Sequence, residues 1–243
     1  MTSKALWFRI LCRQNGLLLN DIQVETVDRY VNLLLAWNRK LNLISRRDEQ
    51  DVWERHILHS VSLLFALVIP QNIRYLDLGT GGGLPGLPLK ILLPLSEGVL
   101  LDATRKKVDA VQDIITSLGL HRITAVWGRA EELAAEGESR GSFDVVLARG
   151  VAPLDELVRL AYPFLKKAAP NERRSEEREA NRNQLAVPCL VAFKGGDLSS
   201  EIAKARRFKE LARIEERQLV FKGSEQLGLE DKKIVVVTYS RER

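Results

Sequence analysis

In the first seventy residues, apolar side chains fall at three- and four-residue intervals. Ile22, Val27, Tyr30, Val31, Leu34 and Leu35 form the stripe that one face of an α-helix presents. Asn20 or Asp21, just ahead of it, is the residue type that caps a helix start. The pattern predicts a second helix over residues 56–68, stopped at Pro70 because proline disfavours helical geometry in the residue before it.

From residue 73 the period changes. Short apolar runs, IRYLDL (73–78), GVLLDA (98–103), ITAVWG (123–128), FDVVLA (143–148) and CLVAFK (189–194), alternate with helical segments, as βαβ units of a parallel sheet do. IEERQLVF (214–221) and KIVVVTYS (233–240) have no helical pattern between them, so the sheet is expected to finish with an antiparallel pair. The expected fold class is α/β: a Rossmann-like, mostly parallel seven-stranded sheet over residues 71–243, preceded by an N-terminal helical extension over 1–70. Residues 168–186 are charged and lack apolar periodicity, which predicts an exposed insertion.

Composition narrows the class. With 45% apolar and 28% charged residues, the chain falls among ordinary globular proteins. It has no run of about 18 apolar residues, and MTSKALWFRILCRQ alternates charged and apolar positions instead of forming a signal-peptide core. A cytoplasmic protein with no membrane partner is expected. Cys12 and Cys189 lack CxxC spacing and read as buried thiols in a reducing compartment. The net charge of +5 favours a polyanionic partner.

The densest chemical signal is Asp77-Leu78-Gly79-Thr80-Gly81-Gly82-Gly83-Leu84-Pro85-Gly86, where the first strand gives way to its crossover helix. Glycines there let the backbone turn sharply and approach a ligand, and the helix start offers free N–H groups. Gly81-x-Gly83-x-x-Gly86 also satisfies the dinucleotide fingerprint. Asp77 separates the two readings: a carboxylate two residues before the first glycine repels a pyrophosphate but suits the cationic aminoacyl group of S-adenosylmethionine. Together with the lack of an acid–base dyad, this disfavours a nicotinamide-dependent oxidoreductase.

Asp102, ending the second strand, can accept from both ribose hydroxyls or cap the following helix; Ala103 and Thr104 can line an adenine. Ala130 and Glu131, after the third strand, fall where such folds grip the adenine edge, with surface charge the plainer alternative. Arg149 ends the fourth strand and faces the ligand crevice unless it forms a surface ion pair. His56 and His59 share a helical face, but the third histidine, His121, is remote, so no metal is expected. The crevice also lacks the Asn/Asp-Pro-Pro-aromatic element of exocyclic-amine methylation and the cysteine nucleophile of cytosine-C5 methylation.

Several motifs occur in one order: Trp37-Asn38, Leu41-Asn42-Leu43, Arg55-His56-Ile57-Leu58, the loop ending Leu84-Pro85-Gly86-Leu87-Pro88, Ala148-Arg149 and Phe193-Lys194-Gly195. Through them the chain, from about Leu17 to Ser240, resembles the bacterial 16S rRNA guanine-N7 methyltransferases, also called the glucose-inhibited division protein B family. The resemblance implies transfer from S-adenosylmethionine to N7 of a guanine in the conserved loop near the decoding centre, on 16S rRNA of the small ribosomal subunit. It implies cofactor contacts from Gly79, Leu84, Asp102 to Thr104, Ala130, Glu131 and Arg149, to which the glycine-loop reading adds Asp77, Gly81 and Gly83.

Guanine N7 carries a lone pair and no proton, so its methylation needs aligned reactants rather than a general base. Arg149 and Lys194 are the expected catalytic cations, acting by positioning. Arg55, His56, Arg129 and Lys194 are the expected RNA contacts, and a monomer is expected. His59 stands where the family commonly has aspartate. A different class of reading is a cofactor-sensing rRNA-binding assembly factor without transfer activity.

Overall fold

Asn20 caps the longest helix as its side chain dictates. Its Oδ1 accepts from the Gln23 N–H at 2.8 Å, and the Gln23 side chain accepts from the Asn20 N–H at 3.1 Å. The computed structural model describes residues 1–137, 139–167 and 183–240. Of the expected charged insertion, residues 168–182 lie outside the described residues. Helices α1 (Ser3–Gln14) and α2 (Asp21–Asn38) are tied by Asp28, whose carboxylate accepts from the N–H and hydroxyl of Thr2 at 2.8 and 2.7 Å.

The helix expected over 56–68 is present as a right-handed helical stretch that starts and ends earlier: a π-helical turn at Trp53–Leu58, then α3 (His59–Val61) and α4 (Leu63–Ala66), with Ser62 between them still helical in φ and ψ. The Ser60 and Ser62 hydroxyls donate to the carbonyls of His56 and His59, in addition to the backbone bond that the His56 carbonyl accepts from the His59 N–H. Leu67 is already extended, and Val68 bridges Gln184.

The sheet contains β1 (Arg74–Leu78), β2 (Glu97–Asp102), β3 (Ile123–Trp127), β4 (Val145–Arg149), β5 (Cys189–Gly195), β6 (Leu211–Gln218) and β7 (Lys232–Tyr239). Their order is β3-β2-β1-β4-β5-β7-β6, with β1 to β5 parallel and β7 antiparallel to both β5 and β6. The mostly parallel seven-stranded sheet and its antiparallel finish are thus as the apolar runs require. Helices α5 (Gly86–Leu92), α6 (Arg105–Leu118), α7 (Ala130–Glu136), α8 (Leu154–Ala161) and α9 (Ser199–Ala205) supply the crossovers and flanks.

Strand alternation divides the core. Tyr75, Leu100, Val191 and Phe193 face one way and pack in the same cluster as Phe8, Tyr30, Leu34 and Ile57 of the extension. Leu76, Leu78, Val146 and Ala148 face the other way, against Leu154, Leu157 and Val158 of α8. The extension therefore shares one apolar core with a face of the sheet, which brings its polar side chains to the strand ends. Both cysteines are buried thiols.

Candidate active site

Chain order reverses between β1 and β4, and in open α/β sheets the crevice at the carboxyl ends of such strands takes ligands. Leu78 pairs with Leu101 of β2 and Ala148 of β4, so the ends carrying Gly79, Asp102 and Arg149 meet at one mouth. Gly79, Gly81 and Gly83 all have positive φ. At Gly79 (φ +62°) a Cβ would also lie 2.8 Å from Val151 Cγ2, so a side chain is excluded by both conformation and space.

Asp77 is fully buried beneath this loop. Its Oδ2 accepts from the Thr80 hydroxyl at 2.7 Å and the Gly86 N–H at 2.9 Å, while Oδ1 has no partner among the described residues. Burial pushes the carboxyl up to about 7, opposed by those two hydrogen bonds and by the nearby Arg149 charge. A buried carboxylate with one unmatched oxygen is a site for a cation, and the aminoacyl ammonium expected from the sequence has that chemistry.

Asp102 holds the other side of the loop. Its Oδ2 accepts from the Gly81 N–H at 2.9 Å and its Oδ1 from the Thr104 N–H at 2.8 Å, so it braces the backbone instead of capping α6 by its side chain. Each oxygen retains a lone pair for a ligand hydroxyl. Ala103 and Thr104 are exposed beside it, as is Glu131 at the start of α7, with Ala130 half-buried. Leu84 differs in kind: its side chain lies in the core and its N–H is bonded to the Thr80 carbonyl at 2.9 Å.

Two contacts from the extension reach this loop. The buried Tyr30 hydroxyl donates to the Gly82 carbonyl at 2.8 Å, and a Cβ at Gly82 would come within 2.7 Å of Leu34 Cδ1. Asn38, fully buried, accepts from the N–H groups of Leu43 and Ile44 at 2.8 and 2.9 Å, and the Leu43 carbonyl lies against Gly81 and Gly82. These residues were not singled out as site residues from sequence. The Trp37-Asn38 and Leu41-Asn42-Leu43 motifs were the signal that could have marked them. Asn38→Ala strands two buried N–H groups and should destabilise the protein by about 3 kcal/mol, read from the shift in urea midpoint.

Arg149, half-buried, donates from Nη2 to His56 Nδ1 at 3.0 Å, and His56 Nε2 lies 3.2 Å from Asp48 Oδ2. Burial lowers the His56 pKa to about 4, with the Arg149 charge acting the same way and Asp48 opposing. Arg55 is exposed and paired with Asp48 and Asp51 at 3.6 and 3.4 Å. His59 packs edge-on against Phe193 with ring centroids 5.4 Å apart. Its Nε2 is buried without a partner among the described residues, and burial lowers its pKa to about 3.

Lys194 is not brought together with Arg149. Arg149 pairs with Phe193, so Lys194 points to the opposite face of the sheet. There it donates to Glu201 Oε2 at 2.7 Å and to the Ala152 carbonyl at 2.8 Å, anchoring the loop that follows Arg149. Arg129 is exposed at the start of α7. Among the described residues no cluster of three or more metal-ligating side chains occurs.

Comparison with known proteins supplies the remaining context. A protein of Chlorobium luteolum called ribosomal RNA small subunit methyltransferase G is 41% identical over 197 residues, covering 81% of this chain and 73% of its own. The protein of that name from Moorella thermoacetica is 31% identical over 225 residues, covering 93% and 85%. Among solved structures, a SAM-dependent methyltransferase from Aquifex aeolicus aligns with a TM-score of 0.51 at 12% identity, over 81% of this chain and 96% of its own. The Methanococcus jannaschii fibrillarin pre-rRNA processing protein aligns at 0.50 and 14%, over 74% of each chain. At such identities these structures speak to fold alone, and they share it. The GidB profile, described as rRNA small subunit methyltransferase G, matches residues 23–170, and with relatives at 31–41% identity across most of its length the chain belongs to that family.

Proposed function

We propose that this protein transfers a methyl group from S-adenosylmethionine to N7 of a guanine in 16S rRNA. The observation that carries the cofactor is Asp77, a fully buried carboxylate with one oxygen unmatched among the described residues, beneath a positive-φ glycine loop at the carboxyl end of the central strand; the rRNA substrate rests on the family, and N7 on the resemblance in its motifs. S-adenosylmethionine, when bound, supplies a methyl group on a cationic sulfur. Asp77 would hold its ammonium and Asp102 its ribose hydroxyls, while Ala103, Thr104, Ala130 and Glu131 border the adenine.

Arg149, at the mouth, is the cation that orients the guanine through O6 and leaves N7 free. Guanine N7 loses no proton on methylation, and the neutral states of His56 and His59 agree with a site that works by alignment. Arg129, exposed, is available to phosphates, and Arg55, also exposed, can reach them by exchanging its pairings with Asp48 and Asp51. Lys194 contributes at one remove, through the loop it anchors.

The test is incubation with methyl-labelled S-adenosylmethionine and undermethylated small ribosomal subunits, followed by chemical cleavage at N7-methylguanine. One labelled break in 16S rRNA is expected. Bound cofactor with no label in RNA would reject the enzyme reading in favour of a binding factor. Label without a break would reject the N7 position.

A further inference from the structure

Arginine offers only hydrogen-bond donors, and this fixes the chemistry of its neighbour. Arg149 Nη2 lies 3.0 Å from His56 Nδ1, so that nitrogen must present a lone pair and the ring proton must sit on Nε2, which faces Asp48 Oδ2 at 3.2 Å. Asp48, on the 3₁₀ turn Arg46–Asp48, and His56, on the π-helical turn, both come from the extension, whereas Arg149 ends β4. The three side chains form one chain of hydrogen bonds across the boundary between extension and sheet.

We infer that His56 is a positioning residue for Arg149, acting as the neutral imidazole with its proton on Nε2, oriented in turn by Asp48. The inference rests on the proposed role of Arg149 and adds how the guanidinium is aimed. Without an acceptor at Nδ1, the arginine keeps its charge but loses its direction. The groups around the ring agree: Arg149 from β4 and the adjacent Arg55 oppose a charge on His56, burial opposes it more strongly, and Asp48 alone favours it. The neighbouring His59 is neutral as well. A π-helical turn at this place follows a recurrent pattern, since such turns gather at functional sites.

Two measurements on the full-length protein test the inference. Long-range proton–nitrogen NMR of histidine-labelled protein at neutral pH should show one ring, absent in His56→Asn, as the Nε2–H tautomer. A protonated Nδ1 in that ring, alone or as the imidazolium, overturns the inference whatever the activity.

In methyl transfer, His56→Ala should lower kcat about tenfold, the expected scale for one misdirected charge-assisted bond. His56→Asn, whose side-chain oxygen can replace Nδ1 as acceptor, should recover most of that loss. Equal losses in both variants would show a packing role and overturn the inference. Should neither variant fold, His59→Asn and His121→Asn identify the His56 ring by elimination, and its tautomer in the unmodified protein still decides. Wild-type protein that transfers no label would overturn the enzyme reading, while the NMR result would still report the hydrogen-bond chain.

Discussion

Arg149→Ala is expected to lower methyl transfer to 16S rRNA by about 100- to 1000-fold, the scale set by removing one preorganised donor from an active site. Arg149 stands at the carboxyl end of β4, over the crevice that also receives Gly79 and Asp102, and among the described residues it donates to His56. Truncation leaves His56 Nδ1 unpaired, the loss of one hydrogen bond at a half-buried side chain, so the thermal midpoint should move by only a few degrees. Single-turnover transfer and circular dichroism melting measure the two effects. Transfer within tenfold of the unmodified protein would remove Arg149 from the chemistry. Unfolding would instead assign it a structural role.

The second large effect concerns Asp77. Asp77→Asn preserves the shape, and its remaining oxygen can still accept from Thr80 and Gly86, but the charge is gone. Affinity for S-adenosylmethionine should fall roughly 100-fold, since one member of a buried charge pair is removed. The pH dependence is independently diagnostic. Burial raises the folded carboxyl to about 7, whereas an unfolded aspartate titrates near 4.

Between those values the folded state holds a proton that the unfolded chain has lost. In the cofactor-free protein, Asp77 therefore removes stability as pH rises from about 4 to 7, and contributes no further change above. Cofactor affinity should run the other way over about pH 5 to 7, because the ammonium needs the ionised carboxylate. Asp77→Asn should flatten both trends, as read by urea unfolding and by equilibrium dialysis with labelled cofactor. An unchanged affinity–pH curve in the variant would mean that Asp77 serves the loop and not the ligand.

Local chemistry was the legible part of this protein. The Asn20 cap, the seven apolar runs, the glycine loop and the placing of carboxylates at the ends of β1 and β2 each depend on residues within a few positions of one another. Helix periodicity, strand alternation and loop glycines carry that information directly. The second helix lies where the apolar stripe predicts it, and the π-helical turn that opens it leaves no mark in that stripe.

The site was legible only in part. Asp77 and Asp102 could be placed because a strand end is a local feature. Lys194 could not: its side is set by the pairing of Arg149 with Phe193, and shifting the register by one residue would turn it to the other face. Tyr30, Asn38 and Asp48 escaped because their partners in the site lie outside their own local pattern. Tyr30 meets Gly82 only when α2 packs on the sheet.

By itself, then, the sequence determined an α/β sheet with a cofactor-type glycine loop and a helical extension, since apolar period and turn chemistry act between near neighbours. Only the tertiary structure decided how the extension meets the glycine loop and Arg149. His56 and Arg149 are 93 positions apart, and their contact exists because a shared apolar core holds the π-helical turn against the carboxyl end of β4.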